Sequence, residues 1–320
     1  MPDEAPILVD GTGLGTIANE PGVAKPDPIV VVDKMRRAFG GIVAVNVDHL
    51  EIQRGVITGL IGPNGAGKTT FFNLLTGFDS PNTGHAEFNG ASIDGTSPHT
   101  LARRGMVRTF QLTKSLTRLS VMENMKLGSQ KQGGEVFWRA LVPPLWLTQD
   151  REIEKRADVL LERFKLSHMR DEYAGTLSGG QRKLLEMARA LMSSPEVIML
   201  DEPMAGVNPA LTQDLLEHVK GLPDEGVTVV FVEHDMDVVR DISDWVVVMA
   251  EGSIIAEGSH STITANRDVI DAYLGTHHDA PIDFDEEAAR ITEDEAAAAR
   301  EIARDEEIVQ KIEEAGDDDD

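Results

Sequence analysis

The chain has 320 residues, 41% of them hydrophobic, a formal net charge of −25 and no cysteine. That length and apolar share support one large core or two modest ones and exclude a fibrous or wholly disordered chain, and without cysteine there is no disulfide framework. So acidic a surface repels polyanions, so no nucleic acid is expected as a partner, and the most apolar window, residues 137–147, is broken by Arg139, Pro143 and Pro144, so no segment is expected to cross a membrane.

Residues 1–28 carry five prolines among glycines and acidic residues, which reads as a flexible leader. Its start also lacks the basic residues and apolar stretch of a secretory signal, so cytoplasmic residence is expected. The G-x-G-x-G at Gly11–Gly15 has no strand before it and no helix after it, which makes it a weak phosphate signal. Folded structure is expected from Ile29, where IVVVDKM and IVAVNVDHLEI alternate apolar and polar residues as half-exposed strands do.

A buried strand at Val56–Ile61 then opens into LIGPNGAGKTT, residues 60–70, which fits the phosphate-loop pattern G-x-x-x-x-G-K-[ST]. Gly62, Gly65 and Gly67 let the backbone curl so that several N–H groups point at one anion, with Pro63, Asn64 and Ala66 completing the loop. Lys68 adds positive charge for the β- and γ-phosphates and Thr69 offers a hydroxyl to Mg²⁺. Thr70 continues the helix whose positive end faces the phosphates. ATP or GTP binding is expected.

Next come a helix to Gly77, a strand at His85–Phe88, a helix at Pro98–Arg104 and a strand at Met106–Phe110. From Val121 to about Ala174 the pattern is helical, with Ile153, Ala157, Leu160, Leu161 and Phe164 on one face, which predicts a helical insertion over about residues 112–180. The α/β pattern resumes with a helix at Gln181–Met192, a strand at Val197–Leu200 and a helix at Pro209–Leu222. Strands follow at Val227–Val232 and Trp245–Met249, then a hairpin around Glu251 and Gly252. Residues 279–320 hold 18 acidic and 4 basic residues, so residues 277–320 are read as an acidic, disordered tail outside the chemistry.

A phosphate loop needs a second metal-directing group and a means of activating water. VIMLDEP, residues 197–203, supplies both: Asp201 at a strand's carboxyl end for the Mg²⁺ shell, and Glu202 to orient and deprotonate the attacking water. His234, after another apolar strand, is a candidate hydrogen-bond partner of the γ-phosphate.

With these motifs, LSGGQRKLLEMARAL at residues 177–191 makes the chain resemble the nucleotide-binding domain of ATP-binding cassette (ABC) proteins from about Ile29 to Leu274. The resemblance implies an α/β P-loop NTPase (RecA-like) core with a small antiparallel β subdomain and an α-helical subdomain, over residues 29–276. It implies that Phe39 stacks on adenine, that Gln111 in RTFQ links the metal to a transmembrane partner, and that His234 is a switch histidine. Catalysis would then rest on Glu202, His234, Lys68 and Gln111, with Thr69, Gln111 and Asp201 toward the metal. Ser178, Gly179, Gly180 and Gln181 would contact the ATP of a second ATPase subunit, identical or different, in a head-to-tail dimer. Asn208 stands where many relatives carry aspartate.

FGGIVAVNVDHLEI, RTFQLTKSLTRLSVMENM, the long insertion, AGVNP and VIDAYLG jointly resemble the larger ATPase of branched-chain amino acid importers. The resemblance implies ATP and Mg²⁺ as cofactors, permease subunits and, indirectly, a solute-binding protein as partners, and a peripheral position on the cytoplasmic face of the membrane. Urea or amide importers share nearly the same motifs. A non-transport ABC ATPase of translation or DNA repair would usually show two cassettes or a long coiled coil, which this sequence lacks.

Overall fold

The computed structural model describes residues 13–109, 116–129 and 143–274. The chain separates into two units, Met1–Tyr273 and Leu274–Asp320, and every described residue except Leu274 belongs to the first. The acidic tail, Phe110 and Gln111 lie outside the described residues.

The first two strands, β1 (Pro28–Phe39) and β2 (Ile42–Gln53), pair antiparallel through a tight hairpin. Val30, Val32, Val45, Val47, Leu50 and Ile52 are buried in one core, although the alternation along β2 changes phase between Val47 and Leu50. β3 (Ile57–Ile61) is buried along its whole length, and it runs into α1 (Lys68–Leu75). β4 (Thr83–Phe88) and β5 (Ala91–Ser92) complete a four-stranded sheet of order β2-β1-β4-β5 among the described residues. α2 (Pro98–Arg104) starts on a Ser97 cap and is followed by β6 (Met106–Arg108).

The helical part comprises α3 (Val121–Leu127) and α4 (Pro143–Arg163), with α5 (Gly179–Leu191) returning to the core. The expected apolar face of α4 packs into the core: Ala157, Leu161 and, just past the helix end, Phe164 have no exposure, Leu160 very little, and Ile153 is half-buried. Asn124 is fully buried on α3, and its side chain bonds the backbone of Leu116, Leu119 and Ser120. The segment after Gln111 also pairs with the approach to α5, through Val121 N–H to the Glu172 carbonyl and Ala174 N–H to the Leu119 carbonyl, both 2.9 Å.

The remaining elements are β7 (Val197–Asp201), α6 (Pro209–Lys220), β8 (Thr228–Val232), α7 (Met236–Ile242), β9 (Trp245–Ala250), β10 (Ser253–Gly258), α8 (His260–Thr264) and α9 (Arg267–Leu274). The second sheet has the order β10-β9-β3-β8-β7-β6, parallel except for the β9–β10 hairpin. Its central strands are covered on both faces, as parallel sheets require. Ile57, Ile61, Ile198, Leu200, Val229 and Phe231 face a core shared with the helical part. Leu60, Val197, Met199, Val230 and Val232 face a second core with α1 and the antiparallel sheet.

One expectation needs correcting. Residues 13–27, which composition assigns to a flexible leader, are held in place: Lys25 Nζ lies 2.9 Å from Glu257 Oε2, with both side chains almost fully buried. Gly22 N–H donates to Glu257 Oε1 at 2.6 Å and Lys25 N–H to Glu51 Oε2 at 2.6 Å. Composition reports the cost of ordering a segment, and it misses one buried cation with a carboxylate waiting for it.

Candidate functional site

The carboxyl ends of β3, β8 and β7 lie side by side. Leu60 pairs with Val232, and Val232 with Asp201, so the three strands end level. The loop after β3, the Glu233–His234 pair after β8 and the Asp201–Glu202 pair of β7 therefore open on one edge of the sheet, where ligands of open α/β folds bind.

In the loop, Gly62, Gly65 and Gly67 have φ of 146°, 81° and 96°, a backbone region costly for residues with a Cβ. At Gly62 a Cβ would also run into the Met249 carbonyl, and at Gly67 into that of Ala44. α1 has no side-chain cap on its first N–H groups, which leaves them aimed into the loop for an anion. Lys68 Nζ donates to the Gly62 and Pro63 carbonyls at 2.5 and 3.0 Å. Burial lowers the Lys68 pKa, and the charges of Glu202 and Asp201 offset part of that, so the three groups share one electrostatic site.

Pro63 is half-buried, Asn64 exposed and Ala66 buried, while Thr69 is exposed and Thr70 half-buried at the helix start. Phe39 ends β1 at the hairpin tip, 48% exposed, with the Arg37 guanidinium 4.4 Å above its ring centre. Ile42, opposite Phe39, is 76% exposed. This apolar tip is tied to the phosphate loop through the β9–β10 turn: Asn46 N–H bonds the Gly252 carbonyl at 2.7 Å, and Gly252 N–H the Ala66 carbonyl at 3.0 Å. Tyr273 is half-buried beside the Gly62 backbone, and the burial of its hydroxyl pushes its pKa up to about 12.

Asp201 is 5% exposed, and its Oδ2 is held by Arg108 Nη2 at 2.5 Å. Arg108 also bonds Asn73 Oδ1 at 2.6 Å. Oδ1 of Asp201 and the Thr69 hydroxyl are hard oxygen donors of the kind Mg²⁺ selects, so the residues fit that ion.

Glu202 has φ 45°, a strained value for a residue with a side chain and one that clusters at functional sites. Its N–H bonds the Val232 carbonyl at 3.0 Å, and its carbonyl accepts from Lys183 Nζ at 2.9 Å. Glu233, 1% exposed, accepts the Met204 N–H at 3.0 Å. Burial raises the Glu233 pKa, against the opposing pull of the Met204 N–H and His234. His234 is largely exposed, with Nδ1 4.0 Å from Glu233 Oε2.

Ser178 caps α5, accepting from Gln181 N–H at 3.3 Å, while Gln181 Oε1 accepts the Ser178 N–H at 2.9 Å. Ser178 and Gly179 are exposed; Gly180 is buried, where a Cβ would meet Leu211 Cδ1 of α6 at 2.5 Å. Asn208 caps α6 through Oδ1 to the Leu211 N–H at 3.0 Å, which explains its side chain without a role in chemistry. Gln111 cannot be located against this edge, since it lies outside the described residues.

A groove of about 390 Å³ flanks the site, lined among others by Arg103, Arg108, Thr109, Leu127, Glu186 and Arg189. Arg108 thus reaches from the groove to Asp201. Arg108, Lys183 and Glu233 join the site with no signal of their own in the sequence, although each stands within or beside one of its motifs.

The family model described as ABC transporter matches residues 45–205. A probable branched-chain amino acid transport ATP-binding protein, LivG, of Archaeoglobus fulgidus is 41% identical over 247 residues, 77% of this chain and 95% of the relative. A high-affinity branched-chain amino acid transport ATP-binding protein, BraF, of Pseudomonas aeruginosa is 41% identical over 250 residues, 78% of this chain and 98% of the relative. Among solved structures, a nucleotide-free ATP-binding cassette from an ABC transporter superposes with a TM-score of 0.67 at 36% identity, covering 77% of this chain and 98% of that one. The ADP conformation of an ABC transporter cassette gives 0.66 at 36% identity, covering 78% and 99%.

Proposed function

The chain belongs to the ABC transporter family, and from that premise we propose that it is the ATP-hydrolysing subunit of an importer for branched-chain amino acids. The observation that carries the reading is the level ending of β3, β8 and β7, which gathers the phosphate loop, Asp201, Glu202 and His234 on one edge. The solute follows the names of relatives that match over nearly their whole length.

In this reading the loop N–H groups and Lys68 hold the β- and γ-phosphates, and Phe39 with its exposed neighbours offers an apolar surface for adenine. Thr69 and Asp201 would hold Mg²⁺, with Gln111 joining them. Bound Mg²⁺ would neutralise charge on the phosphate oxygens. Glu202 orients the attacking water and takes its proton, while His234 donates to the γ-phosphate. The exposed Ser178 and Gly179, at the start of a helix, suit a phosphate brought by a second ATPase subunit, and the groove beside Arg108 suits permease subunits that receive solute from a binding protein. No helix among the described residues is long and apolar enough to cross a membrane. In this reading the subunit sits against its permeases, on the cytoplasmic face of the membrane.

Glu202→Gln keeps the shape and removes the base, so turnover should fall by about 10²-fold or more while ATP binding persists. The variant should accumulate as an ATP-bound dimer in size-exclusion chromatography. Turnover within about threefold of the parent protein would remove Glu202 from this role.

A further inference from the structure

Two side chains grip the backbone that carries Glu202, and they come from different elements. Lys183, in the second turn of α5, donates to the Glu202 carbonyl at 2.9 Å. Glu233, just after β8, accepts the Met204 N–H at 3.0 Å. The strained φ of Glu202 lies immediately before the first of these two points, and such a geometry persists only where its surroundings fix it.

The two grips also share one electrostatic neighbourhood. Lys183 is half-buried among Glu233, Glu186, Glu202 and Asp201, whose charges oppose the loss of its proton on burial. Glu233 is almost fully buried and has His234 as its chain neighbour. One end of the clamp therefore belongs to the helix that begins at Ser178, and the other to the residue beside the histidine.

We propose that Lys183 is a positioning residue for Glu202, and that with Glu233 it sets the angle of the Glu202 carboxylate according to the position of α5. The proposal rests on the assignment of Glu202 as general base. A rotation of α5 as Ser178 and Gly179 meet a second subunit's nucleotide would travel through the Lys183 bond to the Glu202 carbonyl. The base would then come into line only when the partner subunit has closed. The stem of Lys183 supplies reach and its ammonium the hydrogen bond, while proton transfer stays with Glu202.

The test compares Lys183→Met, Lys183→Gln and Lys183→Arg in the full chain, each alone and combined with Glu202→Gln. Steady-state ATPase, single-turnover hydrolysis and binding of a fluorescent ATP analogue would be measured for each. Lys183→Met should lower kcat by about 10-fold to 10²-fold, the scale of a small misplacement of a catalytic group, with KM and analogue affinity nearly unchanged. Lys183→Arg, which keeps a donor, should recover most of the rate. In the Glu202→Gln background the Lys183→Met change should cost nothing further. Should Lys183→Met fail to fold, Lys183→Gln reads the same bond with a shorter donor and should give an intermediate loss. A kcat for Lys183→Met near that of the parent, an equal loss in the Glu202→Gln background, or a loss confined to KM would overturn the proposal. Full turnover by Glu202→Gln alone would instead bring down the general-base assignment, so the two failures are distinguishable.

Discussion

Gly62 and Gly65 sit three residues apart in one loop, and both have positive φ, yet a methyl group would meet different fates at the two. At Gly65 it enters open space, so Gly65→Ala should cost only the left-handed backbone penalty, about 1–2 kcal/mol. At Gly62 it runs into the Met249 carbonyl of β9, part of a strand that is buried and hydrogen-bonded on both sides. Gly62→Ala should therefore destabilise the fold by more than Gly65→Ala and abolish nucleotide binding, as read by urea unfolding and by titration with a fluorescent ATP analogue. Equal stability of the two variants would mean that the loop yields without disturbing β9. The need for glycines in this loop is legible in the sequence because it is local. Their unequal cost is not, because the obstacle at Gly62 comes from residue 249. The same distance hid Arg108, Lys183 and Glu233, whose partners are set by strand order rather than by spacing.

At the scale of elements, the ends of helices are written in short range. Ser120 with Glu123 and Ser178 with Gln181 form reciprocal capping boxes, the S/T-x-x-E/Q signature of a helix start. Asn208 followed by Pro209 begins α6 in the same spirit. The long apolar face of α4 is equally readable from its period. α7, α8 and α9 escaped notice because 5–8 residues hold too few repeats of that period to stand out. The Asn208 cap gives a prediction at this scale. Asn208→Ala should lose about 1 kcal/mol, since the Leu211 N–H loses its acceptor. Asn208→Asp should keep the cap and gain about 0.3–1 kcal/mol from the helix dipole. Chemical denaturation of the three proteins checks the order Asp, Asn, Ala. A flat series would show that Asn208 is held for something other than the cap.

Across the whole molecule, the fold class was legible through motif order, while strand order was not: β3 pairs with β8, some 170 residues later, and nothing in either strand's pattern names its neighbour. Residues 13–27 are held by the same long-range logic. Lys25 reaches 232 residues along the chain to Glu257, whose Oε2 also accepts the Trp245 Nε1–H at 3.1 Å. The ammonium stands 4.6 Å over the Trp245 ring. The ammonium also donates to the Val23 carbonyl at 3.1 Å. Lys25→Met would leave Glu257 charged and buried with only neutral donors, and breaking one side of a buried pair costs about 3–5 kcal/mol. Combining Lys25→Met with Glu257→Gln removes both charges and should recover a large part of that loss, because the remaining groups can still hydrogen-bond. The four proteins of this double-mutant cycle would be compared by urea unfolding at fixed salt. Strong non-additivity, with the double variant more stable than Lys25→Met alone, is the expected result. Simple additivity would mean that residues 13–27 are held by backbone and apolar contacts, with the ion pair contributing nothing of its own.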